Sequence, residues 1–469
     1  MGQGRSDTSI RFEGIWWRAD RPDDRAAGTL TIEPGSVTLE LIGNLEGAET
    51  GRAEYDLLYG LGPEGLATLR GCSQTQLKIH YPGSTRQVLL VRVAVLGAHL
   101  RDMVFSGGVL SFEHLAEWAP PLPPELRQEQ DETGGRVSII RYAPPAPLEA
   151  TVDSGAVRLE WRFATATSAM ADVALHRATV FVIDLLGTVG LDRLWDGFVR
   201  PLQNLVTLAT GEPSALTSLE VWPAQKSVIA PPLPDGITRL PDVRVYYPLL
   251  LEPSRAERFI GPDKLFFQPS DLASDFSGHI RRWLAASEDI RAPMDLFFGS
   301  HYAPPRFLET RFLVYCQAAE VFHRIRYSNE AEDPATYGPK VRSVLDAIPE
   351  EHRRWVERAL DHANYKTFGA RIEELAKVAP TAVRAMLGDV PTFVRRVAKS
   401  RNYYTHWSRD GKDVLRGGAL HWLTEELSLL MHAHLMRELG LDSATIDRRF
   451  AANRIVGHVR SQAASADGP

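Results

Sequence analysis

At 469 residues the chain is too long for one ordinary core and fits about two to four domains, and with 44% hydrophobic and 24% charged residues long disorder is not expected. The two cysteines, Cys72 and Cys316, sit far apart. They allow no disulfide framework or cysteine-based zinc site, and point to a reducing cytoplasm. The net charge of −6 conceals −10 over residues 1–300 and +4 over residues 301–469, a C-terminal third mildly compatible with a polyanionic substrate.

The first thirty residues lack an apolar core segment, and no run of 18 apolar residues occurs, so neither a signal peptide nor a membrane span is expected. The Ser at the sixth position of Met-Gly-Gln-Gly-Arg-Ser fits a myristoylation motif and is read as chance.

Residues 10–118 read as β. Leu30 and Ile32 alternate with threonines, and Val37, Leu39 and Leu41 alternate with Thr38 and Glu40. Leu77, Ile79 and Tyr81 repeat the period of two, and the apolar run Val88–Leu96 reads as a buried strand. Pro120-Pro121-Leu122-Pro123-Pro124 can be neither helix nor central strand and suggests a linker. Beyond it, Val137–Tyr142, Val157–Phe163, Val173–Asp184 and Val243–Leu251 look like strands. Leu191–Leu208 has helical spacing.

From about Asp275 the pattern is helical. Leu308, Phe312, Tyr315, Ala319 and Phe322 stripe one long helix. Val341–Ile348 and Glu350–Leu360 follow, split by Pro349. Ala370–Val378, a short piece from Pro380, Thr392–Tyr404 and Val414–Leu439 come next, and Ser443 is a candidate cap for a last helix. The expected fold is α+β and multidomain. A β-rich, sandwich-like domain (1–119) leads through a linker (120–136) to a second β-rich region with an inserted helix (137–270). An all-α bundle spans 275–465, with its core at about 305–440.

Gly60-Leu61-Gly62-Pro63-Glu64-Gly65 matches G-x-G-x-x-G, but the residues after it look like strand. A β-turn is the better reading, since a dinucleotide loop must open a helix. There is no H-E-x-x-H, P-loop or G-x-S-x-G. His432 and His434, two apart on a helix, point to different sides and make poor joint metal ligands. No metal or cofactor is expected.

Arg followed by His after four to six residues occurs three times: Arg92–His99, Arg401–His406 and Arg416–His421. Spacing alone therefore decides nothing. Only Arg401–His406 has an Asn after the Arg and ends an amphipathic helix, just before the turn-like Ser408-Arg409-Asp410-Gly411. Asn402 and His406, four apart, share a helix face, whereas Arg401 lies about 140° from His406. A curled Arg401, or a helix opened near Thr405, would bring the three groups into one pocket. Such a trio suits RNA cleavage by the 2′-hydroxyl. Imidazole moves the proton, guanidinium stabilises phosphate charge, and the nucleophile is already in the substrate. The alternative is a helix end whose Arg and Asn cap carbonyls and whose Tyr403, Tyr404 and Trp407 are core.

Arg401-Asn402-Tyr403-Tyr404-Thr405-His406 resembles the R-N-x-x-x-H form of the HEPN signature, especially in the Apea-like group. The aromatic and acidic helix around Tyr315–Arg324 is similar to that group's opening helix. Phe12–Trp17, Gly28-Thr29-Leu30, Thr68-Leu69 and Phe112–Trp118 resemble the ApeA N-terminal domain, and Asn204–Leu208 resembles that family's middle region. The resemblance implies a metal-independent endoribonuclease of antiphage defence, acting by abortive infection. Arg401 would stabilise phosphate charge, His406 would act as general acid or base, and Asn402 would orient them. Glu320 is a candidate further acid, with a helix-surface salt bridge as the alternative. RNA is the implied substrate, a homodimer or dimer of dimers the implied assembly, and a phage-derived signal the implied trigger for a regulatory β region. Two other readings stay open: a non-catalytic HEPN-like binding protein, and a ligand-binding β module on a helical scaffold.

Overall fold

The structure is a computed structural model that describes residues 9–45, 52–80, 84–130, 134–167, 173–229, 243–247, 259–407 and 414–466. It divides into two compact units. One comprises Met1–Val206, Ser214–Ile260 and Asp275–Arg281, the other Thr207–Pro213, Gly261–Ser274 and Arg282–Pro469.

The first unit is β-rich. It contains β1 (Ile10–Arg18), β2 (Arg21–Glu33), β3 (Ser36–Ile42), β4 (Glu54–Gly62), β5 (Gly65–His80), β6 (Ser84–Leu96) and β7 (Val104–Phe112). A helical turn, α1 (Leu115–Trp118), precedes β8 (Glu125–Gln130), β9 (Arg136–Arg141), β10 (Leu148–Val152), β11 (Gly155–Thr167) and β12 (Val173–Gly190). Next, α2 (Leu191–Leu194) runs through a π turn into α3 (Arg200–Thr210), and β13 (Leu216–Pro223) and β14 (Val243–Tyr246) follow. One antiparallel sheet has the order β10-β11-β12-β7-β13-β14-β6-β3-β2-β1-β4-β5, and β5 also pairs with β6. That last pairing closes β6, β3, β2, β1, β4 and β5 into a barrel, so their edges are satisfied internally.

The period of two in the sequence sets the barrel's inside. Val37, Leu39 and Leu41 are buried while Glu40 and Ile42 are exposed. Phe12, Trp16, Leu30, Leu58, Leu69 and Leu89 join them. The Trp16 indole N–H donates to Gly28 O at 3.1 Å. A Cβ on Gly60 would come within 2.4 Å of the Trp16 ring, so only glycine lets the indole lie there. The G-x-G-x-x-G segment is the tight turn of the β4–β5 hairpin, with Gly62 paired to Gly65.

Strands on either side of the expected linker belong to one sheet, a difference from the two-region reading. β7 takes β12 on one edge and β13 on the other. Its main-chain groups need partners on both sides, and hydropathy does not say which strands supply them. The proline segment is irregular but tied down: Arg177 donates to Leu122 O at 2.6 Å, and Thr179 to Ala119 O at 2.8 Å. Residues 125–130 are strand, not linker; β8 and β9 pair as an exposed ribbon. Tyr81 and residues 248–251 lie outside the described residues, so β14 is seen only to Tyr246.

The helical segments are α4 (Pro269–Leu272), α5 (Phe276–Asp289), α6 (Arg291–Tyr302), α7 (Leu308–Arg326), α8 (Pro334–Ala347), α9 (Glu350–Leu360), α10 (Phe368–Val378), α11 (Thr381–Leu387), α12 (Val390–His406), α13 (Gly417–Glu438), α14 (Ser443–Ala452) and α15 (Arg454–Ala466). In the all-α unit, α13 buries residues on every side, as a central bundle helix does. Its two histidines diverge: His434 bonds Leu375 O at 3.1 Å, and His432 lies against the Phe266 ring at 3.8 Å.

Three details differ from the sequence reading. Phe266 also packs on Phe450, and Asp271 pairs with Arg448 and Arg449, so residues 261–274 belong to the helical unit. Asp442, not Ser443, caps α14 by accepting from Thr445 N, and the tail is two helices broken at Asn453. α8 and α9 bury no residue and pack on each other, so the bundle core leaves them out.

Candidate active site

The site is carried by α12. Asp389 caps its first turn through Thr392 N at 3.0 Å, and Pro391 sits where a missing N–H costs nothing. Phe393, Val397, Ser400 and Tyr404 form its buried stripe. Contacts to α7 and α10 fix that face, with Tyr404 edge-on to Phe312 at 6.4 Å. Two residues further along the helix from each of these stand Arg395, Lys399, Asn402 and His406, all exposed. Two residues are about 200° of helical turn, so packing of the first set obliges the second to face outward.

Arg401 lies between the stripes. It is half-buried and turned toward α7 and α10. Its guanidinium lies 5.0 Å from the centre of the Phe368 ring and 3.4 Å from Glu320 Oε2. It also donates to Asn402 Oδ1 at 3.3 Å. The other Glu320 oxygen accepts from Arg324 at 3.0 Å.

Arg401 and Asn402 are thus in contact, while His406 makes no hydrogen bond or ion pair among the described residues. The helix does not open at Thr405, whose hydroxyl donates to Arg401 O at 2.7 Å. It ends at Trp407, a left-handed cap with φ 47°, whose N–H donates to Tyr403 O. Among the described residues the guanidinium and the amide are brought together, and the imidazole is not joined to them. Glu320 and Phe368 hold Arg401 toward α7 and α10. Residues 408–411, the expected turn, lie outside the described residues.

The aromatic neighbours divide. Tyr404 is core, with its hydroxyl on Leu415 O at 2.8 Å. Trp407 is 68% exposed, which the core alternative did not anticipate. Cys316 on α7 is buried, and burial pushes its thiol well above the ordinary value, so it is no nucleophile.

Sequence reasoning missed a polar cluster close by. Arg371 on α10 donates to His323 Nδ1 at 3.1 Å and to Asn329 Oδ1 at 2.6 Å. Guanidinium has no acceptor, so His323 Nδ1 accepts and the ring is neutral, with Nε2–H donating to Glu374 at 2.8 Å. Burial lowers the His323 pKa in the same sense. The residues lie 42 to 51 positions apart in pairs, so no local motif announces them. Among the described residues no group of three or more His, Cys, Asp or Glu could hold a metal ion.

A closed β-barrel with its sheet extension, an all-α bundle, and an R-N-x-x-x-H segment ending a bundle helix together define a HEPN-type protein. Residues 11–283 match ApeA N-terminal domain 1, and residues 313–445 match Apea-like HEPN. The chain belongs to the ApeA family. HEPN domains are generally nucleases that bind RNA and pair, and the two domains together mark a HEPN-type defence protein. Neither the curated proteins nor the solved structures compared gave a match. No helix among the described residues is long and apolar enough to cross a membrane.

Proposed function

We propose that the chain is a metal-independent endoribonuclease of antiphage defence, cutting cytoplasmic RNA by attack of a 2′-hydroxyl on the adjacent phosphate. The observation that carries the reading is His406: an exposed imidazole, without a hydrogen-bond or ion-pair partner among the described residues, one helical turn past Asn402 and Arg401. The imidazole takes the 2′-hydroxyl proton or gives one to the departing 5′-oxygen. Arg401 offsets the charge gathering on the phosphate, and Asn402 holds Arg401 and the substrate in register. As His406 is not joined to Arg401 and Asn402 among the described residues, the working centre in this reading is a two-fold pairing. A second copy's segment brings its own guanidinium and imidazole into the cleft, giving one proton acceptor and one donor. The β-rich unit restrains the nuclease until a phage-derived signal arrives.

The holding of Arg401 by Glu320 and Phe368 while His406 is exposed also favours a second reading, a non-catalytic RNA- or protein-binding bundle. The two readings part in a cleavage assay. Arg401→Ala and His406→Ala should each abolish cleavage while leaving the thermal transition close to wild type. Products should carry 2′,3′-cyclic phosphate and 5′-hydroxyl ends, formed equally well in EDTA. Full cleavage by folded His406→Ala protein overturns the assignment, and activity lost in EDTA and restored by magnesium overturns the metal independence.

A further inference from the structure

Helix α12 has a charge pattern that proton transfer at His406 does not require. Its seventeen residues, Val390–His406, include Arg395, Arg396, Lys399 and Arg401 and no Asp or Glu. The nearest acid before it, Asp389, is engaged as its cap. Arg395 and Lys399 lie on the exposed line that leads to Asn402 and His406. Arg395 makes a side-chain hydrogen bond to Thr392 Oγ1 at 3.3 Å. At 1.5 Å per residue, Arg395 stands about 16 Å along the axis from His406, and Lys399 about 10 Å. Cations at such steps on one helix face suit a phosphate backbone laid along it. The line ends at Trp407, a left-handed residue with φ 47° whose indole is 68% exposed. Tyr404 at 6.0 Å and 80° and Tyr403 at 5.9 Å and 51° flank that indole, and its exposed part offers an aromatic surface to an unstacked base.

We infer that single-stranded RNA binds along α12, with phosphates on one side of the cut held by Arg395 and Lys399 and a base beside the cut stacked on Trp407. Arg395 and Lys399 then set affinity for a chain longer than a dinucleotide, and Trp407 holds an unstacked base beside the cut whatever its identity. A duplex, with its bases stacked internally, cannot use Trp407. The inference rests on the ribonuclease reading for the position of the cut.

The test uses the full chain and a fluorescent 2′-O-methyl RNA 12-mer, which cannot supply the nucleophile, with binding followed by anisotropy across a salt series. Arg395→Ala/Lys399→Ala should weaken binding at least tenfold. It should also flatten the log–log salt slope by about 1.4, at about 0.7 for each phosphate of a single strand that is no longer neutralised. Trp407→Ala should weaken binding several-fold with the slope unchanged, and Trp407→Phe should restore it. Arg354→Ala/Arg358→Ala, on exposed positions of α9, should change little. A duplex of the same sequence should bind more weakly and ignore Trp407→Ala. The inference is overturned if wild type does not bind the 12-mer, if the α12 pair binds as wild type, or if the α9 pair loses as much. Equal use of duplex overturns the single-strand assignment. Parallel cleavage of unmodified RNA separates the two claims. Cleavage with unaltered binding by the α12 pair removes the track and leaves the nuclease, whereas binding through α12 without cleavage removes the nuclease and leaves the track.

Discussion

Glu320 on α7 and Arg401 on α12 meet at 3.4 Å, eighty-one residues apart in the chain, and their contact decides where the guanidinium points. Arg401 is thereby aimed along the surface between α7, α10 and α12, with Phe368 beneath it. A part-exposed pair of this kind contributes little to stability, about 1 kcal/mol or less. Its effect is on geometry.

Glu320→Gln should therefore reduce the turnover of RNA cleavage about ten- to a hundredfold while moving the thermal midpoint by no more than a few degrees. Glu320→Asp should recover part of the loss, which a general destabilisation would not do. Unchanged turnover in Glu320→Gln would show that Glu320 forms only a surface salt bridge.

Pairing of two chains is tested by mixing. Arg401→Ala and His406→Ala proteins should each be inactive, and combining them should change activity in a ratio-dependent way if the centre is shared. Light scattering at micromolar concentration should give a dimer or larger. A strictly monomeric chain with full activity would exclude the composite centre.

Restraint by the β-rich unit predicts that a shortened chain is more toxic than the full one. The cut belongs at Gly261 rather than Asp275, because Phe266 packs on His432 and Asp271 anchors Arg448 and Arg449. If the shortened protein is helical and monodisperse yet inert, the β-rich unit is required for activity and the restraint idea fails.

The helical unit should lose stability in mild acid. Burial holds His301 and His434 at about 4 and His432 at about 3, below the ordinary 6.5. Between those values and 6.5 the unfolded chain binds protons that the folded chain refuses. Stability present above pH 6.5 therefore falls as pH drops, by at most about 1.4 kcal/mol per pH unit for each imidazole. The thermal midpoint should be several degrees lower at about pH 5 than at about pH 7. A flat midpoint over that interval would show that these histidines are not held neutral.

The sequence by itself determined the class of each region and the identity of the candidate residues. Alternation at Val37, Leu39 and Leu41 is a local consequence of pleating. The three-and-four spacing through Leu308, Phe312, Tyr315, Ala319 and Phe322 is a local consequence of helical pitch, so both are legible in a short window. The same holds for Arg401, Asn402 and His406 as a motif, since an Asn beside the Arg at a helix end can be read without a fold. Only the tertiary structure decided how these pieces meet. The β5–β6 pairing that closes the barrel, and the insertion of β7 between β12 and β13, depend on backbone groups that every residue carries alike. The turning of Arg401 toward Glu320, the Arg371–His323–Glu374 cluster and the exposure of Trp407 depend on which helix faces α12 buries and which it leaves to water. Helical periodicity places Arg395, Lys399, Asn402 and His406 on one line, but only the packing of Phe393, Val397, Ser400 and Tyr404 against the bundle turns that line outward.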